Sequence, residues 1–200
     1  MAAGAPATLC GVWSRSRRNV VVAALGALAF GVGMSVLKGN DGGALRGAVA
    51  NLSAPWLLLP FLAGAGAGGG RVGRAALIGV FVSFLALGGF YVANSFVLAL
   101  GPHPWLVDLR LAFGSGYFFK FAVLSGPVFG ALGGWWERTR SRLLGVLVAA
   151  LFVLEPFAWL AYRGSVYTSD APVWAAEVLV GLTACALVVW RPHARRPPAS

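Results

Sequence analysis

Six apolar runs, each long enough to cross a lipid bilayer, follow one another along this chain. That repetition constrains the fold more than any motif does. A spanning helix needs about 20 mostly apolar residues. In lipid only helices and closed barrels satisfy their own backbone amides. The runs cover 19–37, 48–68, 75–100, 111–134, 143–162 and 172–190. Between them stand K-G-N-D-G-G at 38–43, G-G-G-R-V-G-R at 68–74, G-P-H-P at 101–104, E-R-T-R-S-R at 137–142 and R-G-S-V-Y-T-S-D at 163–170. Only 11% of the residues are charged, against about 25% in an ordinary soluble domain. The chain is therefore expected to be all-α, a polytopic bundle of six transmembrane helices over 19–190, with cytoplasmic tails at 1–18 and 191–200.

Orientation follows from arginine and lysine, which are enriched in cytoplasmic loops. With the N-terminus inside, the inner segments carry 11 basic residues: Arg15, Arg17, Arg18, Arg71, Arg74, Arg138, Arg140, Arg142, Arg191, Arg195 and Arg196. The outer loops carry four: Lys38, Arg46, Arg110 and Arg163. Both termini are thus expected in the cytoplasm, in a bacterial inner membrane. Adding or removing one span would scramble the alternation. Trp13, Trp135, Trp136 and Trp190 then fall near the inner interface, and Trp105, Trp159, Tyr162, Tyr167 and Trp174 near the outer one, as an aromatic belt requires. The first run follows three arginines and lacks a cleavage site, so it reads as a retained signal-anchor helix. In the second run, Pro55 and Pro60 interrupt the hydrogen-bond ladder. It is expected to span with a kink, with a re-entrant segment as the competing reading.

The net charge of +10 does not point to nucleic acid. Its basic residues are divided among the loops rather than gathered on one face. Cys10 and Cys185 make no disulfide framework. No Walker motif, G-x-S-x-G, H-E-x-x-H or C-x-x-C occurs, and His103 and His193 fall in a loop and a tail. No catalytic residue, metal site or cofactor is expected, and no enzyme activity. The tail R-P-H-A-R-R-P-P-A-S at 191–200 suits a short end lying near anionic lipid.

The informative residues are the polar ones inside the apolar runs. A charge at the centre of a spanning helix costs about 2.5–3.5 kcal/mol on insertion scales, so such residues usually face a bundle interior, a partner or water. At about 1.5 Å per residue, Lys120 lies about 13 Å below the outer boundary, Glu155 about 10 Å, Asn94 about 9 Å and Glu177 about 7 Å. Asn51 and Ser53 open the second run at a similar level. These groups gather in the outer half, where they are expected to line a pocket open to the outside. Lys120 and Glu155, on consecutive helices, suit an ion pair, either binding a ligand or holding two helices together. Glu177 is shallow enough to reach headgroup water, and Asn94 suits an interhelical hydrogen bond. Gly126, Gly130 and Gly134 repeat every four residues, and Ala23 and Ala27 share that spacing. Such small-residue faces let membrane helices approach closely.

The stretch N-L-S-A-P-W-L-L-L-P-F-L-A-G at 51–64, after K-G at 38–39, resembles the small six-helix membrane proteins of uncharacterised function common in actinobacteria. That resemblance implies a membrane location and no established activity. The chain is more loosely similar to the substrate-binding subunits of energy-coupling-factor vitamin transporters. In those, A-x-x-x-A spacing on the first helix, matched here by Ala23 and Ala27, meets a transmembrane coupling subunit. Two functions are expected. The first is binding or translocation of a small-molecule ligand through the outer-facing pocket. The second is a structural or accessory role through helix contacts with a membrane partner or a second copy. The lipid bilayer is the partner common to both.

Overall fold

The computed structural model describes residues 8–39, 43–50, 52–97, 117–164 and 170–190. They form helices α1 (Thr8–Lys38), α2 (Ala44–Ala50), α3 (Ala54–Ala67), α4 (Val72–Val97), α5 (Tyr117–Thr139), α6 (Arg142–Arg163) and α7 (Ala171–Trp190), with no strand among the described residues. Six segments are long and apolar enough to cross a membrane, with α2 and α3 together forming the second. The protein is an all-α, multi-pass membrane protein.

Several boundaries differ from the apolar runs, each for a local reason. Helix α1 starts at Thr8 rather than near 19, because no proline interrupts the chain after Pro6. Residues 8–18 of the expected tail are therefore helical. The second run is broken rather than kinked. A short α2 ends at Ala50, and α3 begins again at Ala54 with Ser53 at its cap and Pro55 in its first turn. Proline fits a first turn because its missing N–H has no partner there anyway. Pro60 sits inside α3. The fourth run continues past Gly134 to Thr139, where the Thr139 hydroxyl donates to the Trp135 carbonyl at 2.9 Å. The charged turn expected over 137–142 shrinks to Arg140 and Ser141. Arg140 adopts a left-handed φ of 51°, its guanidinium pairs with Glu137 at 2.7 Å and covers the Trp136 ring at 5.0 Å. Ser141 then accepts from the Leu144 amide at 3.4 Å and caps α6. Residues 98–100 and 111–116 of the third and fourth runs lie outside the described residues.

The chain divides at this turn into two compact units, Met1–Arg140 and Ser141–Ser200. In the first, α4 packs against α1, α3 and α5, and α5 also against α3. The core is built from small side chains: Ala27, Val82 and Ala86 are fully enclosed, with Ala63, Ala67 and Ile78 beside them. Large apolar residues point the other way. Val22, Leu25, Leu77, Phe118 and Leu124 are exposed. Small inside and large outside is the pattern of helices that meet each other in lipid, where burying a leucine against protein gains little over leaving it in acyl chains.

In the second unit α6 packs against α7. Cys185 lies opposite Val146, and Gly181 opposite Phe152 and Val153. As one helix is followed upward the other is followed downward, so the two are antiparallel. Gly164, in the left-handed region at φ 71°, ends α6 with its amide on the Leu160 carbonyl at 2.8 Å.

Candidate functional site

The antiparallel register of α6 and α7 carries Glu177 to the level of Glu155. Glu177 is 4% exposed although it is a carboxylate in a spanning helix. Neither of its oxygens receives a hydrogen bond from a donor among the described residues. The group that faces it within hydrogen-bonding reach is the Glu155 carboxyl. Glu155 is half-buried and its Oε1 accepts from the Trp159 indole N–H, one turn further along α6, at 3.3 Å. Two carboxylates offer each other no proton to share unless one of them is protonated. The expectation that Glu177 reaches water on its own is corrected: packing against α6 encloses it.

Two local features bring these helices together. Pro156 lies inside α6, so the Phe152 carbonyl loses the amide that would have bonded it from one turn on. On α7, Gly181 sits where a β-carbon would press on Phe152 Cβ at 2.9 Å and the Val153 amide nitrogen at 3.0 Å. The absent side chain at Gly181 and the proline in α6 thus flank the two carboxyls within one turn.

The other polar candidates belong to the first unit. Lys120 lies in the first turn described for α5 and its side chain is exposed. Asn94 is half-buried near the end of α4. Asn51 lies outside the described residues. Two groups were not evident from the apolar runs. Ser35 is fully buried on α1 and its hydroxyl has no partner among the described residues. Trp56 meets Phe30 of α1 and Phe90 of α4 edge-on at 5.0 and 5.8 Å, and Lys38 lies 5.7 Å from the centre of the Phe90 ring. Asn19 ties α1 to α3 through a 2.8 Å bond to the Gly66 carbonyl. Among the described residues, no three His, Cys, Asp or Glu side chains gather as a metal site would need.

The small-residue faces are occupied within this unit. A β-carbon at Gly126 would meet Val80 Cα at 3.0 Å, and one at Gly130 would meet Gly79 Cα at 2.9 Å. At Gly134 it would strike the Ala75 methyl. Gly133, beside them, faces Phe61 and Ala65 of α3. On α1, Ala27 is buried in the core and Ala23 packs against it.

The chain matches no curated protein sequence and no solved structure. A family model matches residues 11–199, from within α1 to beyond the end of α7. By that match over nearly its whole length, the chain belongs to a family of unknown function, DUF6518.

Proposed function

We propose that this protein binds a small polar solute within the membrane and carries it across, with the Glu155–Glu177 pair as the central contact. The observation that supports this most is Glu177, an acid enclosed at a level of the helix that should lie in lipid, with no donor on either oxygen among the described residues. Placing a carboxyl there is costly, and a polar ligand that supplies donors offsets that cost. The arginine distribution orients the chain in a bacterial cytoplasmic membrane with both ends inside, so the α6–α7 turn faces outward and the pair lies in the outer half. The protein moves its solute without converting it. Its polar contacts hold a ligand.

The test is a thermal-shift screen of small polar solutes on purified protein in detergent. A true ligand raises the melting temperature of the wild type and leaves Glu155→Gln and Glu177→Gln unmoved. A shift that persists unchanged in both variants rejects the reading. Lys120→Ala, run alongside, reports whether the first unit contributes to the same site.

A second reading, an accessory protein acting through helix contacts, draws on α1. A β-carbon at Gly26 or Gly33 meets nothing within 4 Å, while Val21, Val22 and Leu25 are exposed beside Gly26. On this reading a photo-crosslinker at Val22 traps one reproducible membrane partner or a second copy. Diffuse labelling of lipid alone sets the reading aside.

A further inference from the structure

We propose that Arg71, Arg74 and Arg138 together hold the phosphate of an anionic phospholipid, where the α3–α4 turn meets the end of α5. The inference stands apart from the carboxyl pair and from solute movement, and goes beyond both.

The turn brings the three arginines to one place. Helix α3 ends at Ala67, and Gly68, Gly69 and Gly70 carry the chain toward α4. Gly69 and Gly70 hold φ of 61° and 72°, a region that glycine enters without steric cost. Arg71 follows at once, its carbonyl accepting from the Ala75 amide at 2.9 Å. Arg74 comes three residues later, the spacing that puts side chains on one side of a helix. The end of α5 runs alongside. A β-carbon at Gly134 would lie 3.5 Å from Val72 Cα and 3.6 Å from the Arg71 carbonyl oxygen, and one at Gly70 would lie 3.9 Å from Arg138 Cβ. Arg138 therefore stands over the turn, beside Arg71. All three side chains are exposed.

The charge of this end suits an anion. Glu137 is the one acidic side chain among the described residues of this unit, and it pairs with Arg140. The 2.8 Å bond from Asn19 to the Gly66 carbonyl brings Arg17 and Arg18 to the same end. Guanidinium forks match phosphate oxygens two at a time. A β-carbon at Gly69 or Gly73 meets nothing within 4 Å, so the backbone on either side of Arg71 is open to a headgroup.

What lies beneath the arginines favours a lipid over a free anion. The span of α4 begins at Val72 and that of α5 ends at Thr139, so the guanidiniums stand at headgroup level. Leu77 and Phe81 follow Arg74 at the spacing of one helix face and are 72% and 48% exposed. Trp135, one turn before Arg138, is 51% exposed. A phosphate held by these arginines has apolar side chains directly below it to meet its acyl chains. Basic clusters at the ends of membrane helices recognise anionic headgroups in this way.

The test takes the full protein in a neutral detergent with dioleoylphosphatidylglycerol, dioleoylphosphatidylcholine or inorganic phosphate. Native mass spectrometry counts bound lipid, and melting temperature is read alongside. The wild type is expected to retain one phosphatidylglycerol in preference to phosphatidylcholine, and to melt higher with it. Arg71→Lys/Arg74→Lys/Arg138→Lys keeps every charge, and with it the signal that orients insertion, but loses the forks. It is expected to retain phosphatidylglycerol at least about tenfold more weakly, as loss of one charged hydrogen bond implies. Lys38→Gln/Arg46→Gln removes two charges, at the far end of α1 and in α2, and is expected to bind as the wild type does. Equal retention of phosphatidylcholine, or undiminished binding in the lysine variant, overturns the proposal and leaves only diffuse attraction. Loss of binding in Lys38→Gln/Arg46→Gln overturns it as well. An equal rise in melting temperature with inorganic phosphate overturns the lipid assignment and gives the arginines to a free anion.

Discussion

Leucine at Gly130 is expected to prevent recovery of folded protein altogether, and alanine there to lower stability by about 1–3 kcal/mol, the usual cost of overpacking. Gly130 faces α4 at Gly79 and Ala75, and the same turn of α5 meets Gly64 of α3. The obstructing atoms are backbone, which cannot rotate aside as a side chain does. Three helices would have to separate at once. Gly88 is the control. It lies on α4 and a β-carbon there meets nothing within 4 Å. Gly88→Leu is expected to be neutral or slightly stabilising, since glycine costs a helix up to about 1 kcal/mol relative to better helix formers. Melting temperatures in one detergent, with monodispersity after purification, decide between these outcomes. Equal tolerance at both positions would mean that the α3–α4–α5 contact does not hold the first unit together.

Glu177→Leu is expected to act in the opposite direction, raising stability by about 1–3 kcal/mol. An enclosed polar group without a partner costs roughly that much, and replacing buried charged groups by apolar ones of similar volume is often stabilising. Glu155→Leu is expected to gain less, because Glu155 is half-exposed and already accepts from Trp159. The double variant should gain less than the sum of the two, since either change alone ends the contact between the carboxyls. Non-additivity of this kind is the signature of side chains in contact. Additive gains would show that the two carboxyls do not interact. A gain in stability with lost solute response would mark the pair as retained for function.

The spans were legible in the sequence because length and hydropathy alone decide whether a helix can cross lipid. The joints were less so. Pro55 reads as a kink when seen inside an apolar run, yet it opens a new helix, because proline suits a first turn better than an interior. The end of α5 was obscured by its charges. Glu137, Arg138 and Thr139 read as a turn, but nothing in them breaks a helix, and the chain turns only where Arg140 takes a left-handed conformation. The carboxyl pair was half legible. Counted from their outer ends, Glu155 and Glu177 fall at nearly the same depth, which an antiparallel register turns into contact. Attraction between opposite charges points instead to Lys120 as the partner of Glu155, so charge alone does not single out Glu177. Trp159, one turn beyond Glu155, carried a signal at the i, i+4 spacing that places helix side chains side by side. The role of Gly181 depends on which residues of α6 it meets, and no local pattern states that.

The enclosed alanines and glycines of the first unit have a thermal consequence. Helices that leave lipid for one another release little water, so their association lacks the entropic contribution that weakens soluble cores on cooling. What replaces it is dispersion between closely spaced backbones, which is lost within a fraction of an ångström of separation. Cohesion among α3, α4 and α5 is thus a matter of spacing rather than of solvent. It should respond more to the thickness and lateral pressure of the surrounding bilayer than to the agents that loosen water-driven packing.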